Sequence, residues 1–269
     1  MERSEPRKRT RPSRRIERAH DEPAFVLHAH PWRETSLILD VFSRHHGRLP
    51  LVAKGAKRPH SQLRTVLLGF APFAASWSGQ GEVRTLTRAE WSGGVAPLAG
   101  LPLMCGFYFN ELLMRLLPRE DPHEALFDAY LEALKRLGEG EGGASGAATP
   151  RGPLYATRRQ VEPLLRGFEM ELLRELGHLP ELHLLSTSGE PVRAQGSYVV
   201  DPQRGVLEHS GEDASTAMRG EQLLAIADAR WEQPGALRGA KALMRELLGY
   251  HLGTQPLRTR QLLIDLHQL

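Results

Sequence analysis

Between Pro23 and Trp91 the apolar positions come in short bursts rather than at helical spacing. The segments 24–30 (AFVLHAH), 35–43 (TSLILDVFS), 47–55 (GRLPLVAKG), 70–79 (FAPFAASWSG) and 81–91 (GEVRTLTRAEW) are rich in Val, Leu, Thr, Phe and Trp, and Gly, Pro and Ser punctuate them. Bursts of this length and composition predict β-strands. In the last of them both faces are mixed: Val83, Thr85, Thr87 and Ala89 oppose Arg84, Leu86, Arg88 and Glu90. Five short strands in about 70 residues predict a small antiparallel barrel, and the OB-fold is the five-stranded barrel of that size.

Beyond Gly94 the period shifts. Residues 96–118 and 121–138 read as amphipathic helices, the second with Asp121 as N-cap, Pro122 in the first turn and Gly138 as its stop. Residues 138–153 are rich in Gly, Ala and Ser and predict a flexible loop. Helical spacing resumes over 155–177, where Pro163 marks a candidate start, and again over 220–231, 235–253 and 259–268. Between them, 178–217 is dense in turn signals around one credible strand, GSYVVD, and predicts an irregular lobe with a hairpin. The expected fold is therefore mixed β and α: an N-terminal OB-fold barrel (22–95), then a mostly helical domain (96–269) with a small irregular lobe.

Composition narrows the picture. No apolar run approaches the roughly 18 to 20 residues of a membrane span, and the basic N-terminus is not followed by the apolar segment of a secretory signal. The expectation is a cytoplasmic protein. One cysteine, Cys105, excludes an internal disulfide and a cysteine-based zinc site, and its setting in LPLMCGFYF predicts a packed core thiol. Within residues 1–95, 17 Lys and Arg stand against 9 Asp and Glu, so the chain's +3 is +8 there and −5 beyond. Residues 1–21 carry much of this charge with almost no apolar side chain, and predict a disordered basic tail. Its reading as an electrostatic arm and its reading as a solvated extension stand level.

Catalytic signatures are missing. The chain has no phosphate-binding glycine loop, no G-x-S-x-G, no H-E-x-x-H and no C-x-x-C. His45 and His46 are adjacent, so at a strand end their rings would point apart; His28 and His30 share a strand face but lack further ligands nearby. No catalytic residue, metal site or cofactor is expected. What remains is the stretch after the third strand, where Lys54, Lys57 and Arg58 cluster around Gly55 and Pro59, with Arg48 upstream and Arg64 downstream. Five cations on a sheet edge and its loop suit phosphates, each contact releasing counterions. Arg33, Arg44, Arg84 and Arg88 are candidates to extend the patch, and Trp32, Trp77 and Trp91 to stack bases, although a barrel Trp is more often core.

The segments AFVLHAHPWRETSLILDVFSRHHGRLPLVAKGAK, GEVRTL, YFNELLMRLLP and LRGFEMELLRELG, in that order, resemble the bacterial RecO family of recombination mediators. The resemblance implies an N-terminal OB-fold, a helical domain, no catalysis, and binding to single- and double-stranded DNA. It implies annealing of strands coated by single-strand-binding protein, and action with RecR to load RecA. It places Arg48, Lys54 and Lys57 on basic positions of the DNA-binding barrel, with Arg58 and Arg64 on the same loop. It also implies that the acidic C-terminal tail of the single-strand-binding protein docks on the helical domain, at Arg166 with Leu126, Phe127 and Leu172 as candidate pocket walls, although plain helix-bundle core fits those three apolar residues as well. The four-cysteine zinc module of many members is absent here, so 178–217 must hold together by packing. An RNA-associated OB protein and a scaffold that binds only protein are the competing readings.

Overall fold

The computed structural model describes residues 17–139, 158–210, 217–259 and 261. Five strands close into a barrel in the order β1-β2-β3-β5-β4, with β1 Glu17–Trp32, β2 Ser36–Ser43, β3 Gly47–Ala53, β4 Phe73–Gly79 and β5 Arg84–Trp91. This is the OB-fold architecture expected from the strand count. It departs from a purely antiparallel barrel in one pairing, since β3 and β5 run parallel through Leu51 with Arg84 and Val52 with Thr85. The chain leaves β3 through the basic loop, passes a short helix α1 (Leu63–Val66) and returns along β4, so β5 closes the barrel in the direction of β3. Val26, Leu39, Val41, Leu49, Leu51, Phe73 and Trp77 fill the interior.

β1 begins at Glu17, inside the segment expected to be tail to residue 21. Glu17, Arg18 and Ala19 pair with Gly79, Ser78 and Trp77 of β4. Backbone pairing asks for little from the side chains, so basic composition conceals a strand whose one inward residue there is Ala19. Residues 1–16 lie outside the described residues, as do 140–157, which hold most of the expected Gly-rich loop, and nearly all of the last expected helix.

A bulge at Leu27 decides how the barrel meets the rest of the chain. Phe25 pairs with Phe42 and Val26 with Val41, but His28 pairs with Asp40, leaving Leu27 as the extra residue. Val26 points inward, while Phe25 and Phe42 point out and join the core of the helical domain. That domain is built from α2 (Gly100–Leu116), α3 (Glu124–Glu139), α4 (Arg158–Glu175), α5 (Gly220–Ala227) and α6 (Ala236–Leu252). The ring of Phe25 lies 5.3 Å from Phe127 and 4.9 Å, edge-on, from Tyr130; Phe42 lies 5.4 Å from Phe127. The Leu27 carbonyl accepts a 2.9 Å hydrogen bond from Asn110 Nδ2, and Asn110 Oδ1 accepts one from the Tyr130 hydroxyl. Gly47, at φ +67°, lets the β2–β3 turn lie against the chain before α3, since an added Cβ would fall 2.1 Å from the Asp121 carbonyl oxygen.

Two helix ends differ from expectation. Asp121 does not cap α3, which begins at Glu124 with its first amide bond running from Phe127 to the His123 carbonyl. Pro163 does not start α4, which extends back to Arg158 and carries the proline inside it as its sixth residue, where the missing N–H forfeits one i→i−4 bond.

The 178–217 lobe is more regular than its turn density predicts. Strands β6 (Ser197–Asp201), β7 (Gly205–Glu208) and β8 (Met218–Arg219) form a sheet in the order β7-β6-β8. Asp201 Oδ1 accepts from the amides of Gln203 and Arg204 to set the hairpin turn. Tyr198, Val200 and Val206 join Leu182, Leu185 and Val192 in the same core as the helices, so packing holds the lobe.

Phe127→Ala should therefore loosen barrel and helices together. A loss of about 3–5 kcal/mol is expected for emptying such a site, read in urea melts as one cooperative transition shifted to lower denaturant. Two separate transitions would show that the seam does not couple the parts.

Candidate nucleic-acid interface

The basic loop is anchored rather than loose. After β3 ends at Ala53, Gly55 adopts φ +71° and Ala56 drops its methyl into the barrel core, 1% exposed. Lys57 N–H donates to the Thr35 carbonyl at 2.9 Å, tying the loop to the β1–β2 turn. Bonds from Arg58 N–H to Gly55, Ser61 N–H to Arg58 and Arg64 N–H to Ser61 carry the chain in successive turns into α1. The Arg58 side chain lies across Gly55, where a Cβ would be 3.5 Å from its Cδ and Nε. Lys54, Lys57, Arg58 and Arg64 are all exposed, and among the described residues none of them pairs with a carboxylate. Leu37, Ala56, Leu63 and Leu67 floor a groove of about 330 Å³ whose other walls are Lys57 and Arg64.

The other barrel cations do not join them. Arg48, placed on the same patch by its position in the sequence, is turned to the helical domain: its Nε donates to the Leu117 carbonyl at 3.1 Å, and its guanidinium lies 3.6 Å from Asp40. Burial pushes its pKa down, against the pull of Asp40. Arg84 is buried between Glu17 at 2.6 Å and Glu120 at 2.8 Å. Arg44 reaches Glu124 and Asp128 on α3, and Arg88 pairs with Glu90. Of the four cations offered as extensions of the patch, Arg33 is the one at the β1–β2 turn beside the loop, with its guanidinium 5.9 Å from the centre of the Trp32 ring.

The same two strands present an outward row that continues past the seam. Beyond Phe25 and Phe42 come His28 opposite Asp40, His30 opposite Ile38, and Trp32 opposite Ser36. His28, His30 and Trp32 are exposed, and the two imidazole centroids lie 4.1 Å apart. Of the other barrel tryptophans, Trp77 is core and Trp91 is exposed at the end of β5. The shared face of the histidines is readable from their spacing; what separates Trp32 from Trp77 is parity after the bulge, which spacing alone does not show.

Known proteins resemble the chain along nearly its whole length. The family model for the recombination protein O N terminal region matches residues 18–95, and that for the C terminal region matches 100–149. The DNA repair protein RecO of Ralstonia nicotianae is 48% identical over 266 residues, covering 98% of this chain and 91% of that protein. The chain belongs to the RecO family. RecO of Cupriavidus pinatubonensis is 49% identical, covering 96% of this chain and 83% of its own length; that of Aromatoleum aromaticum is 46% identical, covering 94% and 98%. RecO proteins are non-enzymatic recombination mediators of DNA repair, and the barrel just described coincides with the first of the two matched regions.

Of the RecO partner-surface candidates, three are not on a surface at all. Leu126 and Leu172 are 0% exposed and Phe127 is 3% exposed; they are core, packed in the apolar cluster shared by the helices and the outward Phe25 and Phe42. Arg166 is 9% exposed and holds an ion pair at 2.8 Å with Glu169, itself fully buried. Cys105 is buried, its thiol pushed up to about 12 by burial, and among the described residues no three His, Cys, Asp or Glu side chains converge on a metal position. The adjacent histidines behave differently from a strand-end pair. They sit in the β2–β3 turn, and His45 Nδ1 at 3.0 Å and His46 Nδ1 at 3.6 Å both approach Glu22. No helix among the described residues is long and apolar enough to cross a membrane.

Two expectations separate structural from binding groups here. Arg48→Ala should cost about 1–3 kcal/mol through the unpaired Leu117 carbonyl and Asp40, yet leave the salt dependence of DNA binding as in wild type; a shallower dependence would return Arg48 to the interface. Cys105 should resist thiol-specific reagents in the folded protein and react on denaturation, as absorbance of the released chromophore would report.

Proposed function

We propose that the chain binds DNA through the loop between β3 and α1 and acts as a recombination mediator. In this reading it holds and anneals single strands coated by single-strand-binding protein, and helps RecR load RecA. Lys54, Lys57, Arg58 and Arg64 form the electrostatic lip for phosphates. The observation that carries the reading is the contrast among barrel cations: these four are exposed and free of carboxylates, whereas Arg44, Arg48 and Arg84 are engaged at the junction with the helical domain. Counterion release from such a lip gives sequence-independent, salt-sensitive binding to both single- and double-stranded DNA.

The helical domain is the proposed site for the acidic tail of the single-strand-binding protein, with Arg166, at 9%, the most exposed of the four candidates. A guanidinium suits a terminal carboxylate, and such a tail has to compete with Glu169 for it. RecR and, through it, RecA complete the proposed partners, and the place of action is the cytoplasm, on chromosomal DNA.

Anisotropy of a labelled single strand, followed across salt concentrations, tests the lip. Lys54→Ala with Lys57→Ala and Arg58→Ala should weaken binding and flatten the slope of log affinity against log salt by about 2, at roughly 0.7 per phosphate contact. Unchanged affinity and slope would move DNA binding away from this loop.

A further inference from the structure

We propose that the outward row His28, His30 and Trp32 on β1 is a base-stacking platform that lets the barrel tell an unpaired strand from a duplex. The inference rests on the lip reading above, because it supplies bases where the lip supplies phosphates.

The row is built for planar contacts. Same-face positions along a strand stand about 6.6–6.8 Å apart, and the bulge at Leu27 sets His28, His30 and Trp32 in this register on the face opposite the barrel core. The helical domain covers one end of that face, at Phe25 and Phe42, and leaves this end in water. Trp32 keeps 43% of its surface exposed although the barrel packs Trp77 to 1%. Its ring already carries a planar cation nearby, the Arg33 guanidinium at 5.9 Å, so a flat group has access to it. Burial and its neighbour His30 push the pKa of His28 down, against the pull of Asp40, and so favour its neutral ring.

Position joins this row to the lip. The Lys57 amide is bonded to the Thr35 carbonyl, three residues beyond Trp32, so the hairpin tip and the basic loop are tied together. A single strand with its phosphates along Lys54, Lys57 and Arg58 can turn its bases toward Trp32 and the histidine pair. A duplex satisfies the same cations but keeps its bases stacked inside, so the row adds affinity for the unpaired form alone. Stacking of this kind tolerates any base, since every base has a π-face.

The test uses the full chain, a labelled oligothymidylate and a labelled duplex of equal length, across salt. Trp32→Ala should weaken binding of the single strand roughly tenfold by loss of one stacked base, with the salt slope and the duplex affinity unchanged. Trp32→Phe should restore most of the loss, and His30→Ala should weaken the single strand in the same selective way. Wild-type single-strand affinity in Trp32→Ala, equal losses for single strand and duplex, or a Phe variant as weak as the Ala variant would each overturn the platform. The triple lip variant, run beside them, keeps the two ideas apart. A normal Trp32→Ala with a weakened lip variant removes the platform and leaves the lip; a weakened Trp32→Ala with a normal lip variant does the reverse.

Discussion

Four aromatic rings hold this molecule in its working shape. Phe25 and Phe42 point out of the barrel, against Phe127 and Tyr130 of α3, and Asn110 bridges the Leu27 carbonyl to the Tyr130 hydroxyl beside them. Phenylalanines on the outside of a barrel are tenable only under a cover, since each buries 150 Å² or more at roughly 25 cal/mol per Å². The cover has a direction. It consumes the Phe25 end of the β1–β2–β3 outer face and stops short of His28, so the ends nearest Trp32 and the basic loop are what this face has left to offer a ligand.

The seam also sorts the charges. Cations beside it are drawn into fixed pairs: Arg48 between the Leu117 carbonyl and Asp40, Arg84 between Glu17 and Glu120, Arg44 against Glu124 and Asp128. Partly desolvated pairs of this kind are costly to break, because removing one member strands the other. Cations at the far end meet no carboxylate and stay hydrated, available to mobile anions. A tally of Lys and Arg along residues 1–95 therefore overstates the surface that nucleic acid would meet, and the protein's electrostatic polarity comes from which end of the barrel the helices cover.

This explains what the amino-acid pattern could and could not disclose. Short β-rich bursts revealed all five barrel strands, because their length, β-branched and aromatic content and flanking Gly, Pro and Ser suit strands better than helices. The parallel closure of β3 against β5 leaves no local mark, being decided by the path of the chain through α1. Strand β1 extends to Glu17 through backbone pairing with β4, which a run of Arg and Glu neither announces nor forbids. Phe25 and Phe42 look like interior residues in any alternation count; the bulge at Leu27 and a neighbouring helix are needed to know that they face out. The same ambiguity runs the other way for Leu126, Phe127 and Leu172, whose apolar character suited a pocket wall and a core equally until α3 and α4 were placed. Arg166, near the middle of α4, carries no sequence mark that its partner would be Glu169 one turn on, beyond the i, i+3 spacing itself.

One apolar core runs from Phe25 in β1 through α2, α3, α4 and α6 to Val206 in β7. Close-packed interiors deform little, so the lip on the barrel and the surface of the helices keep one fixed geometry. That rigidity has a consequence for a mediator. On the proposed function, a strand held at the lip and a protein segment held on the helices would be fixed at one separation, so within one nucleoprotein complex the second contact would be intramolecular. Its effective concentration is then set by the length of the connecting nucleic acid or tail, and two individually weak contacts become a firm one without any further interface. A hinge between barrel and helices would spread that separation over many values and dilute the gain, and the seam of Phe25, Phe42, Phe127 and Tyr130 is what removes the hinge.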